Sequence, residues 1–331
     1  MSPNPTRPSD VPAPFASECR TAVAAAEEAG ALLRSRFPDG VAARPKGGLG
    51  DVVTDLDLMA ERIVVDRIRQ RYPHDRILAE ESGELGGDGG GRTWLVDPLD
   101  GSNNVVLGLP VYVVGVALCV DGAPVMGVVH EPVSGRTWSA RQGGGAYGPG
   151  GRLSPAAGHR PPVPGGPVLA WTQGHAVRRD DLAARTLRTT VELGSRRLLQ
   201  LWAPLLAWAM LARGDIDGFV GYRAEAIDLP AGALLAREAG MALRHLDGRE
   251  FGGGFRGPDT ERSFVAGRPE ALPYLLELVA GAAGTEGPGP VAVPGPGACR
   301  RTDAAVPVLR ADDGSPTTRP SPSPPAPPPT P

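Results

Sequence analysis

Cysteine is scarce and poorly placed for pairing. The 331-residue chain has three, Cys19, Cys119 and Cys299, far apart and without a C-x-x-C. A disulfide framework is not expected, and a reduced, cytoplasmic protein is the simplest reading. Long apolar runs are also missing. None approaches the roughly 18 residues of a membrane span; the longest, such as 111–120, is broken by Gly115 and suits a buried strand. There is no long basic run and the net charge is −3, so neither nucleic acid nor an anionic membrane is expected as a partner. The Pro-rich start lacks the basic-then-apolar layout of a signal peptide. No G-x-x-x-x-G-K-[ST] loop occurs, and His74, His130, His159, His175 and His245 have no zinc spacing. Gly143-x-Gly145-x-x-Gly148 has the letters of a dinucleotide fingerprint, but it follows a hairpin and runs into Pro149 instead of opening a helix. Asp215-Ile216-Asp217-Gly218 is too short for a calcium loop and reads as a turn.

What is present is an ordinary soluble composition, 41% apolar and 21% charged, on a chain long enough for a sizeable core. Proline crowds the two ends. Residues 1–15 and 284–331 are too poor in apolar anchors to offset ordering entropy, and are expected to be disordered. Between them, helices are expected at 16–37, 54–72, 180–187, 203–212, 230–239 and 269–280. Strands are expected at 76–79, 93–96, 111–120, 125–129, 136–140, 168–172, 218–220, 242–246 and 263–266. Asp121-Gly122 between two of these strands is a hairpin signal. The Pro/Gly/His-rich stretch 150–166 suggests two lobes, 16–150 and 151–283, and the alternation of elements gives an α/β class.

The chemistry-bearing acids stand at element ends. A buried strand delivers Asp97; Pro98 stiffens the backbone, Leu99 offers a carbonyl, Asp100 returns a second carboxylate, and Gly101 permits a sharp turn into Ser102-Asn103-Asn104. Two carboxylates and a carbonyl suit hard divalent cations such as Mg²⁺. A helix N-terminus suits phosphate. D-P-x-D-G also suits a plain turn. Against that stand its place directly after an apolar strand and the further acids Asp57, Glu80, Glu81 and Asp228 at other element ends.

The stretch Trp94-Leu95-Val96-Asp97-Pro98-Leu99-Asp100-Gly101-Ser102-Asn103-Asn104 resembles the signature of the inositol monophosphatase family. Four more stretches resemble that family in the right order: Asp51–Asp57, Ala79-Glu80-Glu81-Ser82, Gly143–Tyr147, and Ile227–Gly240. The resemblance implies a layered α-β-α-β-α fold, Mg²⁺-dependent hydrolysis of a small phosphorylated metabolite, and a homodimer. By position it implies that Glu80, Asp97 and the Leu99 carbonyl hold one metal, and that Asp97, Asp100 and Asp228 hold a second. Asp57 and Ser102 would orient the attacking water, with a third, loosely held Mg²⁺ as an option, and the N–H groups of Gly101 and Ser102 would hold the phosphate.

The substrate side departs from that pattern. The family's Trp before the last metal Asp is Ile227 here, and the acid that contacts inositol hydroxyls seven residues before that Asp is Gly221. The usual Gly-Ser/Thr pair before the long apolar helix is Trp202-Ala203. Sugar or polyol phosphates are the first expectation, with histidinol phosphate or a nucleoside 3′-phosphate as alternatives. A non-catalytic metal- or phosphate-binding module is the competing class. Lys46, Trp202, Arg223 and Glu225 are left open as substrate contacts.

Overall fold

Alternation of apolar side chains along the central strands builds the architecture, because each strand must feed a core on both of its faces. The computed structural model describes residues 14–37, 42–46, 51–87, 90–154 and 166–283. Residues 1–13 and 284–331, on which most of the disorder expectation falls, lie outside that set.

The first half forms an eight-stranded sheet in the order β10-β9-β8-β7-β6-β5-β3-β4. Its strands are β3 (Arg76–Ala79), β4 (Gly83–Leu85), β5 (Arg92–Asp100), β6 (Val113–Val120), β7 (Ala123–Glu131), β8 (Arg136–Arg141), β9 (Gly145–Gly148) and β10 (Gly151–Arg152). The second half forms a five-stranded sheet, β12-β11-β13-β15-β14. Its strands are β11 (Val168–Gln173), β12 (Arg197–Leu199), β13 (Gly218–Tyr222), β14 (Ala242–His245) and β15 (Phe264–Gly267). A separate hairpin, β1 (Ala43–Lys46) with β2 (Asp51–Thr54), precedes the large sheet.

On the large sheet, Trp94, Val96, Val114, Val116 and Leu118 face the core under α1 (Ala16–Arg36) and α2 (Asp55–Arg71). Leu95, Val113, Ala117 and Cys119 face the opposite core, under α5 (Pro204–Arg213) and α6 (Leu229–Glu238). On the small sheet, Ala170, Phe219, Phe264 and Ala266 meet α5 and α6 from the other side. Leu169, Trp171, Val220 and Val265 pack instead against α4 (Leu182–Leu193) and α7 (Leu272–Ala283). Helices, sheet, helices, sheet and helices therefore follow one another, the expected α-β-α-β-α layering.

The β6–β7 hairpin turns through Asp121 and Gly122, both left-handed at φ 51° and 91°, as a type I′ turn requires. The differences from expectation lie at short edges. The strands β1, β2, β4, β9, β10 and β12 were not expected, because two to four residues of Gly-rich or charged sequence carry no readable alternation. The helix expected at 180–187 runs instead over Leu182–Leu193, capped by the Asp181 carboxylate, which accepts the Ala184 N–H at 2.9 Å.

Candidate active site

Strand β5 carries the acids to its carboxyl end. Its pairing with β6 slips in register between Asp97 and Asp100, where Pro98 cannot donate to the ladder. Asp97 and Asp100 are 3% and 7% exposed. Asp97 Oδ1 accepts the Leu99 N–H at 3.1 Å, and Asp100 Oδ2 accepts the Leu205 N–H at 2.6 Å in the first turn of α5. Gly101 then turns at φ 115°, and a Cβ there would meet the Val111 carbonyl at 2.7 Å, so only glycine fits. The short helix α3 (Ser102–Val106) starts at once.

Asp57 is fully buried on the first turn of α2. Thr54 caps that helix: its Oγ1 accepts the Leu56 N–H at 3.2 Å and its own N–H donates to Asp57 Oδ2 at 2.8 Å in a capping box, while its hydroxyl also donates to Oδ2 at 2.5 Å. The other oxygen, Oδ1, lies 2.5 Å from Ser102 Oγ, which also stands 2.9 Å from the Leu99 carbonyl. Capping and site geometry are thus two uses of one carboxylate. Burial raises the Asp57 pKa, Ser102 and Thr54 lower it, and Glu80 raises it, with a net rise.

Glu80 follows β3, tied by its N–H to the Val96 carbonyl at 3.0 Å. Lys46 Nζ donates to Glu80 Oε1 at 2.8 Å and to Glu81 Oε1 at 2.7 Å. Burial works to lower the Lys46 pKa, but the two glutamates outweigh it and the net shift is upward. Glu81 is pushed up to about 6, by burial first and also by Glu80 and Asp57, with Lys46 opposing.

Asp228 sits at the start of α6. Loss of water pushes its pKa up to about 8, and the charges of Glu80 and Glu225 add to that. Burial likewise raises Asp97, assisted by Glu80, Asp100 and Asp228. Asp100 is raised by burial and by Asp228, against the Leu205 N–H. The structure therefore brings Glu80, Asp97, Asp100 and Asp228 within electrostatic reach of one another, with Asp57, Ser102, Leu99 and Gly101 beside them.

The donor chemistry of that cluster is all oxygen and all of one sign. Lys46 is paired with Glu80 and Glu81, no Lys or Arg among the described residues is paired with Asp97, Asp100 or Asp228, and the charge of His175 works to lower the Asp228 pKa against the net rise. Like carboxylates out of water need a counter-charge, and hard divalent cations fit that need. Among the described residues, no three Asp, Glu, His or Cys side chains stand ready-closed around a single point. Each oxygen set is turned to a protein partner: Asp97 to the Leu99 N–H, Asp100 to the Leu205 N–H, and Glu80 to Lys46.

One supporting residue, Glu61, escaped the sequence reading, and Asn104 of the signature stretch proves to have a supporting part. Glu61, 3% exposed, lies one turn after Asp57 on α2. It accepts the N–H groups of Glu81 and Ser82 at 2.7 and 3.1 Å and the Ser82 hydroxyl at 2.5 Å, so it holds the loop that carries Glu80. Its i, i+4 spacing from Asp57 was the available signal. Asn104 Nδ2 donates to the carbonyls of Val111 and Leu201, both at 2.7 Å, joining α3 to the segment before α5. The Gly143–Tyr147 stretch has a different part: Glu238 of α6 accepts the N–H groups of Gly143 and Gly145, each at 2.8 Å, and clamps the β8–β9 turn.

On the substrate side, Gly221 has no room for a side chain, since a Cβ would meet the Phe264 ring at 2.2 Å. Arg223 is left-handed at φ 47° and its guanidinium lies 5.4 Å from the Tyr222 ring centre. Glu225 Oε1 accepts the His175 N–H at 2.7 Å. Trp202 is exposed, also with a left-handed backbone.

Fold and site define a class: a layered α/β protein whose strand-end acids are suited to a cation and a phosphate ester. Known proteins agree. The model of the inositol monophosphatase family matches residues 16–282. Nus factor SuhB of Escherichia coli K12 is 33% identical over 259 residues, 77% of this chain and 92% of that protein. A fructose-1,6-bisphosphatase/inositol-1-monophosphatase of Thermotoga maritima is 33% identical over 205 residues, 62% of this chain and 75% of that one. Among solved structures, the Bartonella henselae suppressor protein SuhB superposes with a TM-score of 0.70 at 25% identity, covering 80% of this chain and 98% of the other. The Thermotoga maritima inositol monophosphatase gives 0.67 at 26%, covering 81% and 98%. The chain belongs to the inositol monophosphatase family, and that membership supports a phosphatase.

Proposed function

We propose that the protein is a Mg²⁺-dependent phosphoric monoester hydrolase acting on a small phosphorylated metabolite. The observation that carries this reading is the buried strand-end pair Asp97 and Asp100, with Glu80 and Asp228 close enough to raise both pKa values and no Lys or Arg paired to either among the described residues. Glu80, Asp97 and the Leu99 carbonyl would hold one ion, and Asp97, Asp100 and Asp228 a second. When bound, the ions supply positive charge to the phosphoryl oxygens and an activated water.

The chain's own groups do the rest. Asp57, fixed by Thr54, keeps Oδ1 toward Ser102 Oγ, and this pair orients a water and takes up its proton. The N–H groups of Gly101 and Ser102 face the phosphate at the opening of α3. Asp100, bonded to the Leu205 N–H, ties the start of α5 to the acid cluster and so sets the wall that faces the rest of the substrate.

The relatives named Nus factor SuhB support a second reading, a non-catalytic module that keeps the acid cluster for binding. A phosphate-release screen with Mg²⁺ over a metabolite panel separates the two. Release that falls about 10²-fold or more in Asp97→Asn, the scale for losing an electrostatic group that acts at the transition state, supports the enzyme. No release from any ester, with Mg²⁺ still bound, supports the module; full activity in Asp97→Asn would refute the site.

A further inference from the structure

We propose that Trp202 is a substrate-contacting residue, a ring platform at the edge of the acid cleft, and that the preferred ester carries a planar aromatic or heteroaromatic group. This rests on the phosphatase reading and narrows its substrate class.

Trp202 breaks the rule that the other tryptophans obey. Trp94, Trp138, Trp171 and Trp208 are at most 2% exposed, whereas Trp202 is 54% exposed. Its backbone is strained as well, at φ 52°. A bulky residue in the left-handed region is an outlier that persists only when its surroundings impose it, and such residues gather at ligand sites. The indole is only about half covered, so burial offsets that strain less than it would for the other tryptophans.

The surroundings that impose it are parts of the candidate site. On one side, the Leu201 carbonyl is held by Asn104 of α3, two residues past Ser102. On the other, the Leu205 N–H is held by Asp100. Trp202 is three residues from Leu205, so the chain places it at most about 11 Å from a group bonded to Asp100. Neither Trp202 nor Ala203 caps α5: the N-cap Ala203 makes no side-chain hydrogen bond, and Pro204 opens the helix. The turn therefore presents an indole where a small capping residue would have satisfied the helix.

The remaining positions at this side of the cleft are poorly suited to a polyol. Strand β13 cannot carry an acid at Gly221, because Phe264 fills that space. Glu225 is already engaged with the His175 N–H. An indole has a flat π-face that stacks on another ring, and each such stack is worth about tenfold or more in affinity. A ringless sugar alcohol cannot use that face in the same way.

The test uses the full chain with Mg²⁺ and compares wild type, Trp202→Gly and Trp202→Phe. Glycine removes the ring while remaining comfortable at φ 52°. Rates are measured on adenosine 3′-monophosphate, 4-nitrophenyl phosphate and glycerol 2-phosphate, and adenosine binding is titrated by calorimetry. Trp202→Gly should raise KM for the two ring-bearing esters about tenfold more than for glycerol 2-phosphate. Its kcat should change little, since binding common to ground and transition states is what is lost. Trp202→Phe should restore most of the difference. Equal effects of Trp202→Gly on all three esters, or none on any, would overturn the ring platform while leaving the phosphatase intact. If no ester is hydrolysed but adenosine binds wild type about tenfold more tightly than Trp202→Gly, the platform stands and the phosphatase reading falls.

Discussion

The two sides of the cleft are built by opposite rules. On the large-sheet side, Asp57, Asp97 and Asp100 are buried, and each is fixed by a named donor: Thr54, the Leu99 N–H and the Leu205 N–H. At β13 and the loop after it, Gly221 is reduced to backbone and Arg223 is strained and half-buried, and in the segment before α5 Trp202 is strained and exposed. A rigid, over-determined wall suits groups that must meet a reacting phosphate within tenths of an ångström. A wall of loops can change its side chains without disturbing that chemistry. On the proposed function, the difference teaches that reaction type and substrate choice are separate problems, given to different segments.

Substitutions can break or sharpen that contrast. Among residues outside the acid cluster, the largest effect is expected at Glu61→Gln. An amide cannot accept both the Glu81 N–H and the paired Ser82 donors, so the Glu80 loop loosens although Glu61 itself stands behind it. The Mg²⁺ concentration for half-maximal activity should rise about 10–100-fold, the usual cost of losing a group that orients a ligand. KM for the ester at saturating Mg²⁺ should change little, and an unchanged Mg²⁺ requirement would show that the first wall is not rigid through Glu61.

Gly221→Glu probes the second wall. It restores the acid that the family resemblance would place there, but the Phe264 ring occupies the space. Overpacking should cost about 1–3 kcal/mol of stability, read by denaturant unfolding, without a gain in activity on inositol phosphate. A gain in that activity would show that the wall yields after all.

The smallest effect is a pH dependence of stability. Asp97, Asp100 and Asp228 hold their protons more tightly in the folded chain, Asp228 up to about 8. The unfolded chain releases them first, near the ordinary carboxylate pKa of about 4. The contribution of these three groups to stability without divalent cation is therefore fully present below pH 4 and is lost as pH rises toward 8. Saturating Mg²⁺ should flatten or reverse this slope. Tm scans in EDTA and in Mg²⁺ from pH 5 to 8.5 measure it, and coincident curves would count against a cation in the cluster.

Much of the fold was legible because its signals are local. Short apolar runs in β5, β6, β7, β11 and β13 predicted buried strands, and the structure shows why: each feeds two cores. Asp121-Gly122 announced its hairpin through backbone freedom alone. The short strands β1, β2, β9, β10 and β12 were not legible, since they exist through pairing and carry no pattern of their own. Lys46 shows the same limit at the site: a lysine at the edge of a glycine loop reads as solvated until Glu80 and Glu81, more than thirty residues on, are placed against it.

By itself, the sequence determined the order of the acids, the turn Asp97–Ser102, and the segments that must be strands or helices. These depend on residue type and spacing along the chain. Only the tertiary structure decided which groups support them. Glu61 under the Glu80 loop, Asn104 on Leu201, Asp100 on Leu205 and Phe264 against Gly221 are contacts between elements remote in sequence. The physical reason is that a hydrogen bond or a filled space between two elements depends on their relative position, which packing of all five layers sets and no local pattern encodes. Trp202 belongs to that second group: as a letter it could have been one more core residue, and only its exposure and its strained backbone beside Asp100 and Asn104 give it a part in the site.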